Sequence, residues 1–329
     1  MPAAERTRAR SIQSVDRFVL EQSYGAPEAY GVPPGPIPEE IFIKIGKAIL
    51  TIAAADGELS PIERAFAVGL AKSLGATQQA VDVQRTFDPR GHKLEEYFDA
   101  STKPMAKVIL YDAVRIARAD GFKERERQLA MRGARMLGLD ASIVPQIESL
   151  LAVEEGVRAA RLSVITPPEQ WEGVKPASPD VLANDFWRFE QMGHLGLIPL
   201  ELAVSVGKAI LVVASADGEL TEKETGWFYG MAKGFGMPQE LVEQMMKFDP
   251  KGEKLETYLT PPTRMLSRVI LYDAVRCAAA DGFAQKEREM AHKAAQLLGL
   301  DPGIVPWVEG VLMLEKSTRD ARIRLLSPA

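Results

Sequence analysis

The chain has 329 residues, enough for about two domains, with 46% hydrophobic and 26% charged side chains, the balance of an ordinary globular protein. Its net charge of −5 is not that of a general nucleic-acid binder, which needs clustered cations to neutralise phosphates. Cys277 is the one cysteine, which excludes an intramolecular disulfide framework and fits a reducing compartment; no apolar run approaches the ~20 residues of a bilayer span.

Taken in order, the N-terminus MPAAERTRAR is followed by no apolar h-region, so no secretory leader is expected. Residues 11–22 read as a short helix, and the Gly- and Pro-rich stretch 24–38 as a loop. Helical periodicity starts at Glu39 and runs into Ala-Asp-Gly at Asp56 and Gly57. Gly57 can take positive φ and so stop a helix cheaply. Ser60, Pro61 and Glu63 then form a capping box with proline at the first helical position. A second helix covers about 61–74, and a third short segment follows. In FDPRGHKLEEYF, Asp88 is placed to cap a helix beginning at Pro89, with Lys93 and Glu95 on a solvated face. Further helices are expected at about 103–119, 123–137 and 141–162, the first ending at Asp120-Gly121. No segment sustains strand alternation, so the fold class is all-α.

The chain then repeats itself. Asp56 and Asp217, Asp88 and Asp249, Tyr111 and Tyr272, Asp120 and Asp281, and Arg161 and Arg322 are each 161 residues apart, and no gap is needed from Gly46 to Leu162. Upstream, Asp16-x-Phe18-x-Leu20-Glu21-Gln22 resembles Asp185-x-Trp187-x-Phe189-Glu190-Gln191 at a spacing of 169, so the second copy lacks part of the 24–38 loop. The expected organisation is a first helical domain at 1–165, a linker at 166–179 and a second helical domain at 180–329, each with its own core. Within each domain the helix ending at one Asp-Gly turn is echoed by the helix ending at the other. Two such hairpins packed about a pseudo-two-fold axis bring the acidic turns together or send them to opposite ends; the sequence leaves both arrangements open.

Two readings of the turns stand side by side. Ser60 with Glu63, and Thr221 with Glu224, suffice as caps between helices. Alternatively, Asp-Gly-x5-Glu matches the second half of a calcium loop, and Asp56, Glu58, Ser60 and Glu63 (with Asp217, Glu219 and Glu224 in the second copy) offer oxygens to a hard cation such as Ca²⁺ or Mg²⁺. Like charges so gathered need a cationic offset, either a bound ion or a basic neighbour such as Arg64, Arg115 or Arg276. VILYDAVR recurs intact at 108–115 and 269–276; Asp112 and Arg115 are three apart on one helix face and positioned to pair, with a ligand role for Asp112 as the alternative. Cys277 aligns with Ile116 and reads as a core filler. His92 aligns with Glu253 and His292 with Met131, so no histidine is shared between the copies. There is no Gly-rich phosphate loop and no Ser or Cys nucleophile motif, so an enzyme is not expected.

The run Ala-Asp-Gly-Glu-Leu-Ser-x-x-Glu between helices, followed by Ala-Arg-Ala-Asp-Gly-Phe and Leu-Gly-Leu, resembles the tellurite-resistance TerB-like family over about 40–160 and again over 201–321. The resemblance implies a compact all-helical domain, a cytoplasmic role in bacterial stress response or assembly, usually through a protein partner, and no established catalytic activity. It also implies acidic ligands for a divalent metal such as calcium, at Asp56, Glu63, Asp112 and Asp120 and at Asp217, Glu224, Asp273 and Asp281. The family domain commonly occurs singly or fused to other modules, whereas here two copies fill the chain. The second turn of each copy has no Ser or Thr cap, and its glutamate, Glu126 or Glu287, stands one position nearer the glycine than Glu63 does.

Overall fold

The computed structural model describes residues 18–24, 37–166, 178–193 and 200–327. The expectations for 11–17, for the loop between 25 and 36 and for linker residues 167–177 lie outside the described residues. Among those described, every regular element is helical and there is no strand. In chain order they are α1 (18–24), α2 (Glu39–Ala53), α3 (Pro61–Ser73), α4 (Gln78–Thr86), α5 (Ala106–Ala117), α6 (Glu124–Met136), α7 (Ile143–Ile165), α8 (Pro179–Met192), α9 (Leu200–Ala214), α10 (Glu222–Gly234), α11 (Gln239–Met246), α12 (Ser267–Ala278), α13 (Gln285–Leu297) and α14 (Ile304–Leu326). None is long and apolar enough to cross a membrane.

The start and stop signals act where local physics places them. Ser60 Oγ accepts from the Glu63 amide while Glu63 Oε2 accepts from the Ser60 amide, and Thr221 with Glu224 repeats the exchange. Gly57 and Gly218 hold φ of 110° and 112°, and a Cβ at either would meet nothing within 4 Å. Their role is therefore purely conformational. Asp88 differs from expectation. No helix begins at Pro89, and the next helical turn is the 3₁₀ segment Leu94–Glu96; Asp88 Oδ1 accepts from the Arg90 amide at 3.1 Å, a short turn that the side chain closes itself, and Asp249 does the same with Lys251. The 103–119 helix also begins later, at Ala106, after a 3₁₀ turn over Lys103–Met105.

The chain divides into two compact units whose bounds differ from the expected ones. The first unit is drawn from Met1–Gly156, Pro176–Glu190 and Ser317–Ala329; the second from Val157–Lys175 and Gln191–Lys316. In the first unit α2 packs chiefly on α5, and the fully buried Leu50, Ile52, Ile109 and Leu110 lie at the centre of its core. Leu182, Phe186 and Phe189 of α8 and Leu326 of α14 belong to that same core. Gly69 of α3 makes the approach possible, since a Cβ there would lie 1.8 Å from the Leu182 carbonyl oxygen of α8. In the second unit α9 packs on α12, around the buried Ile210, Leu211, Ile270 and Tyr272.

A buried ion pair holds each tail. In the first unit Tyr111 donates to Glu154 at 2.6 Å and Arg322 stands 3.4 Å from the same carboxylate. In the second, Arg161 binds Glu315, with Arg276 at 3.9 Å. Spacing of 161 makes Arg161 the counterpart of Arg322 and Glu154 that of Glu315, so each repeat's arginine serves the unit built mainly from the other repeat. The periodic sequence cannot distinguish the two assignments, because both copies carry the same residues.

Two outcomes follow from this arrangement. A fragment of residues 1–168 lacks Leu182, Phe186, Arg322 and Leu326, so it is expected to lose cooperative thermal unfolding and to recover it when mixed with 178–329; a cooperative melt of the isolated fragment would contradict the assignment. Gly57→Val is expected to destabilise by ~1–2 kcal/mol through φ alone, read as a lower denaturation midpoint at an unchanged m-value.

Candidate functional site

Each unit carries two Asp-Gly turns, and the structure brings both to one place. In the first unit, α2 ends at the Asp56 turn and α3 starts from Ser60; α5 ends at the Asp120 turn and α6 starts after Lys123. Glu63 and Glu126 each sit at the third position of the starting helix. Glu63 Oε2 takes the Ser60 amide at 2.8 Å and Glu126 Oε2 takes the Lys123 amide at 2.5 Å. These contacts satisfy amides that the helix start leaves orphaned. Both glutamates are fully buried, and neither Oε1 has a hydrogen-bond partner. Burial pushes the Glu63 carboxyl up to about 7, with the nearby charges of Asp120 and Glu126 adding to it. Glu126 is likewise pushed up to about 7 by burial, with Asp56 and Asp120 adding.

The first unit supplies its own cation. Lys123 Nζ lies 2.6 Å from Asp56 Oδ2, while Asp56 Oδ1 accepts from the Glu58 amide at 3.1 Å. The lysine contact holds the Asp56 carboxyl below its usual range. The offset is thus Lys123 rather than the expected Arg64, Arg115 or Arg276. Arg64 instead donates to the carbonyls of Gln84, Arg85 and Phe87. Glu58 is exposed and contributes its amide, not its carboxylate, to the turn.

The second unit repeats the geometry without the lysine. Ala284 stands where Lys123 stands in the first. Glu224 Oε2 accepts from the Thr221 amide at 2.8 Å, and Glu287 Oε2 accepts from the Ala284 amide at 2.6 Å. Glu224 and Glu287 are 1% and 2% exposed and face each other. With both ionised, Glu224 Oε1 has no donor. Burial and the facing Glu224 push Glu287 up to about 8, and burial also raises Glu224. Asp217 and Asp281 border the pair and are exposed, as is Glu219, whose amide binds Asp217. Cys277 is buried beside the same carboxylates, which together with burial raise its thiol. It donates to the Glu224 carbonyl at 3.6 Å, a packing role like that of Ile116.

Asp112 and Asp273 do not join these clusters. Asp112 accepts from the Tyr24 hydroxyl at 2.9 Å through both oxygens, and its expected partner Arg115 pairs with Glu190 at 2.7 Å. Burial pushes the carboxyls of Asp112 and Asp273 up to about 7. Glu126, Glu287 and Lys123, by contrast, were not among the sequence candidates. The signal for the glutamates was their retention at the third helical position in both copies.

Among the described residues, no three His, Cys, Asp or Glu side chains stand together as a ready-made metal site. The first unit does not fit a metal, because Lys123 already neutralises Asp56. In the second, Glu224 and Glu287 face each other and Asp217 and Asp281 border them, with Ala284 in the place of that lysine.

No family model and no curated protein matches the chain. A solved structure of a tellurite resistance protein from Nostoc punctiforme is similar to it at 28% identity, over 50% of this chain and 98% of that one, with a TM-score of 0.38.

The raised carboxyls set a pH dependence. A buried glutamate with a raised folded-state value holds its proton in the folded chain after the unfolded chain has released it. Its stabilising contribution is present below about 4.5 and is lost as pH rises through about 7 to 8. The melting midpoint is therefore expected to fall between pH 5 and pH 8. Glu287→Gln, which keeps an acceptor for the Ala284 amide and needs no proton, is expected to melt ~2–4 °C above the parent at pH 8, for a gain of ~1 kcal/mol. Parallel melting profiles from pH 5 to pH 8 would show that Glu287 is not the titrating group.

Proposed function

We propose that this chain is a non-enzymatic, cytoplasmic stress-response protein that acts through a protein partner and holds a divalent cation, Ca²⁺ or Mg²⁺, at the paired acidic turns of its second unit. One observation carries the cation reading: Lys123, the built-in counter-charge of the first unit, is Ala284 in the second, where the buried Glu224 and Glu287 face each other. Glu224, Glu287, Asp217 and Asp281 would hold the ion. The ion would supply the positive charge that Lys123 supplies in the first unit. The stress-response and partner readings rest on the sequence motifs and on the lack of a shared histidine or nucleophile.

A site of two glutamates and two surface aspartates binds weakly, at ~10⁻⁴ to 10⁻³ M. Ten millimolar calcium is then expected to stabilise the chain by ~1.4–2.7 kcal/mol, with a larger shift at pH 8 than at pH 6 because the ion displaces a proton. Thermal melts of the full chain in calcium, magnesium and chelator measure this. Ala284→Lys is expected to erase the shift, and Lys123→Ala to create a second one. Identical midpoints in all three buffers would leave a metal-free helical scaffold as the reading.

A further inference from the structure

The first unit contains a cavity of about 210 Å³ bordered by α1, α2, α3, α4 and α5. Phe42, Ile45, Ile49, Leu70, Val108 and Ile109 make most of its wall apolar. Its polar features are few. Asp112 lines it together with Tyr24, the donor to that carboxylate, and Gln84 presents an amide beside Gly46. Glu39 and Thr77, hydrogen-bonded to each other, line a further part.

Protein interiors leave few voids larger than a water molecule, and every unfilled contact forfeits dispersion energy. A dry apolar cavity of ~150 Å³ is already enough to take up benzene. The repeat provides an internal control for whether this space is a defect of the fold. At spacing 161, Ala67 becomes Phe228, Ala76 becomes Met237, Ala80 becomes Leu241 and Gln84 becomes Met245. Phe228 and Met245 are each 1% exposed, so the second unit fills with side chain what the first leaves open. The polar end is also particular to the first unit. At spacing 169, Tyr24 becomes Gly193, and Asp273 Oδ1 is left with no hydrogen-bond partner. The same scaffold therefore folds with the space filled, and the first copy combines four smaller or more polar wall residues with an added hydroxyl.

We infer that this cavity binds a small neutral amphiphile: a single-ring or short-chain apolar body carrying one hydrogen-bond donor, such as a phenolic or alcoholic hydroxyl. The apolar wall takes the body. The Asp112 carboxyl keeps acceptor capacity beyond its bond to Tyr24 and takes the donor. An anionic head is disfavoured there, since Asp112 repels it and the guanidinium of Arg115 is committed to Glu190.

Toluene, p-cresol and p-toluate share one body and differ in the head. Saturation-transfer NMR and thermal melts of the full chain with each probe test the inference, with methyl resonances of Ile45, Ile49 and Val108 reporting the location. p-Cresol is expected to bind roughly tenfold tighter than toluene, at ~1.4 kcal/mol per factor of ten, and p-toluate not at all. Ala67→Phe and Ala80→Leu, which install the second unit's side chains, are each expected to weaken p-cresol binding at least tenfold. Should Ala67→Phe fail to fold, Ala80→Leu and the methyl shifts of the parent decide. The inference is overturned by an absence of saturation transfer from all three probes, by equal binding of all three, by shifts elsewhere, or by unchanged binding in a folded Ala80→Leu chain.

Discussion

A helix start must satisfy its first amides, and in both units a glutamate at the third helical position does so from within the core. That constraint organises the rest. Glu63 and Glu126 each spend one oxygen on a backbone amide and bury the other where no protein donor meets it. A carboxylate in such surroundings resists ionisation, and two facing each other resist it further. The fold could avoid this by placing the hairpins end to end. Instead the two Asp-Gly turns of each unit lie together, so the local economy of capping creates an electrostatic problem at the level of the unit. The units differ in what stands beside the turns: the first has the Lys123 ammonium on Asp56, whereas the second has Ala284 in its place and a Glu287 carboxyl pushed upward by burial and by Glu224.

The two copies thus show what a shared scaffold tolerates. The capping glutamates, the turn glycines and the VILYDAVR helix are the same in both. Among the positions that diverge, two sets bear on the sites. One is the charge beside the acidic turns, Lys123 against Ala284. The other is the volume of the wall between the packed helices α2 and α5 and their neighbours, Ala67 and Ala80 against Phe228 and Leu241. Neither change disturbs helix capping or the central packing of α2 on α5 and α9 on α12. Both are surface or cavity chemistry laid over a conserved frame.

The buried arginines add a further constraint. Arg322 with Glu154, and Arg161 with Glu315, are charged groups removed from water, worth retaining only while both partners are present. Each pair ties a helix tail into the unit whose core it completes. Leu326 and Phe186 do the same by apolar contact in the first unit. The first unit's core is thus made of discontinuous segments drawn from both halves of the chain.

Much of the frame was legible in the residues. Periodicity located the helices, Ser60 and Thr221 located their starts, Gly57 and Gly218 their stops, and the 161-residue spacing revealed the duplication. All of these are local: a cap or a turn is decided within four or five residues, so the sequence determines it without reference to the rest of the molecule. Three matters were decided only by tertiary structure. The acidic turns could have lain together or apart, because the hairpin sequence is compatible with either. Asp112 was read with Arg115, its neighbour on the helix face, but Tyr24 and Glu190, 88 and 75 residues away, are the partners that burial selects. Arg161 and Arg322 occupy equivalent positions of the two repeats, so nothing in the residue types assigns either one to a unit. Long-range burial makes that choice, since a buried charge is stable only where the completed core brings it a partner.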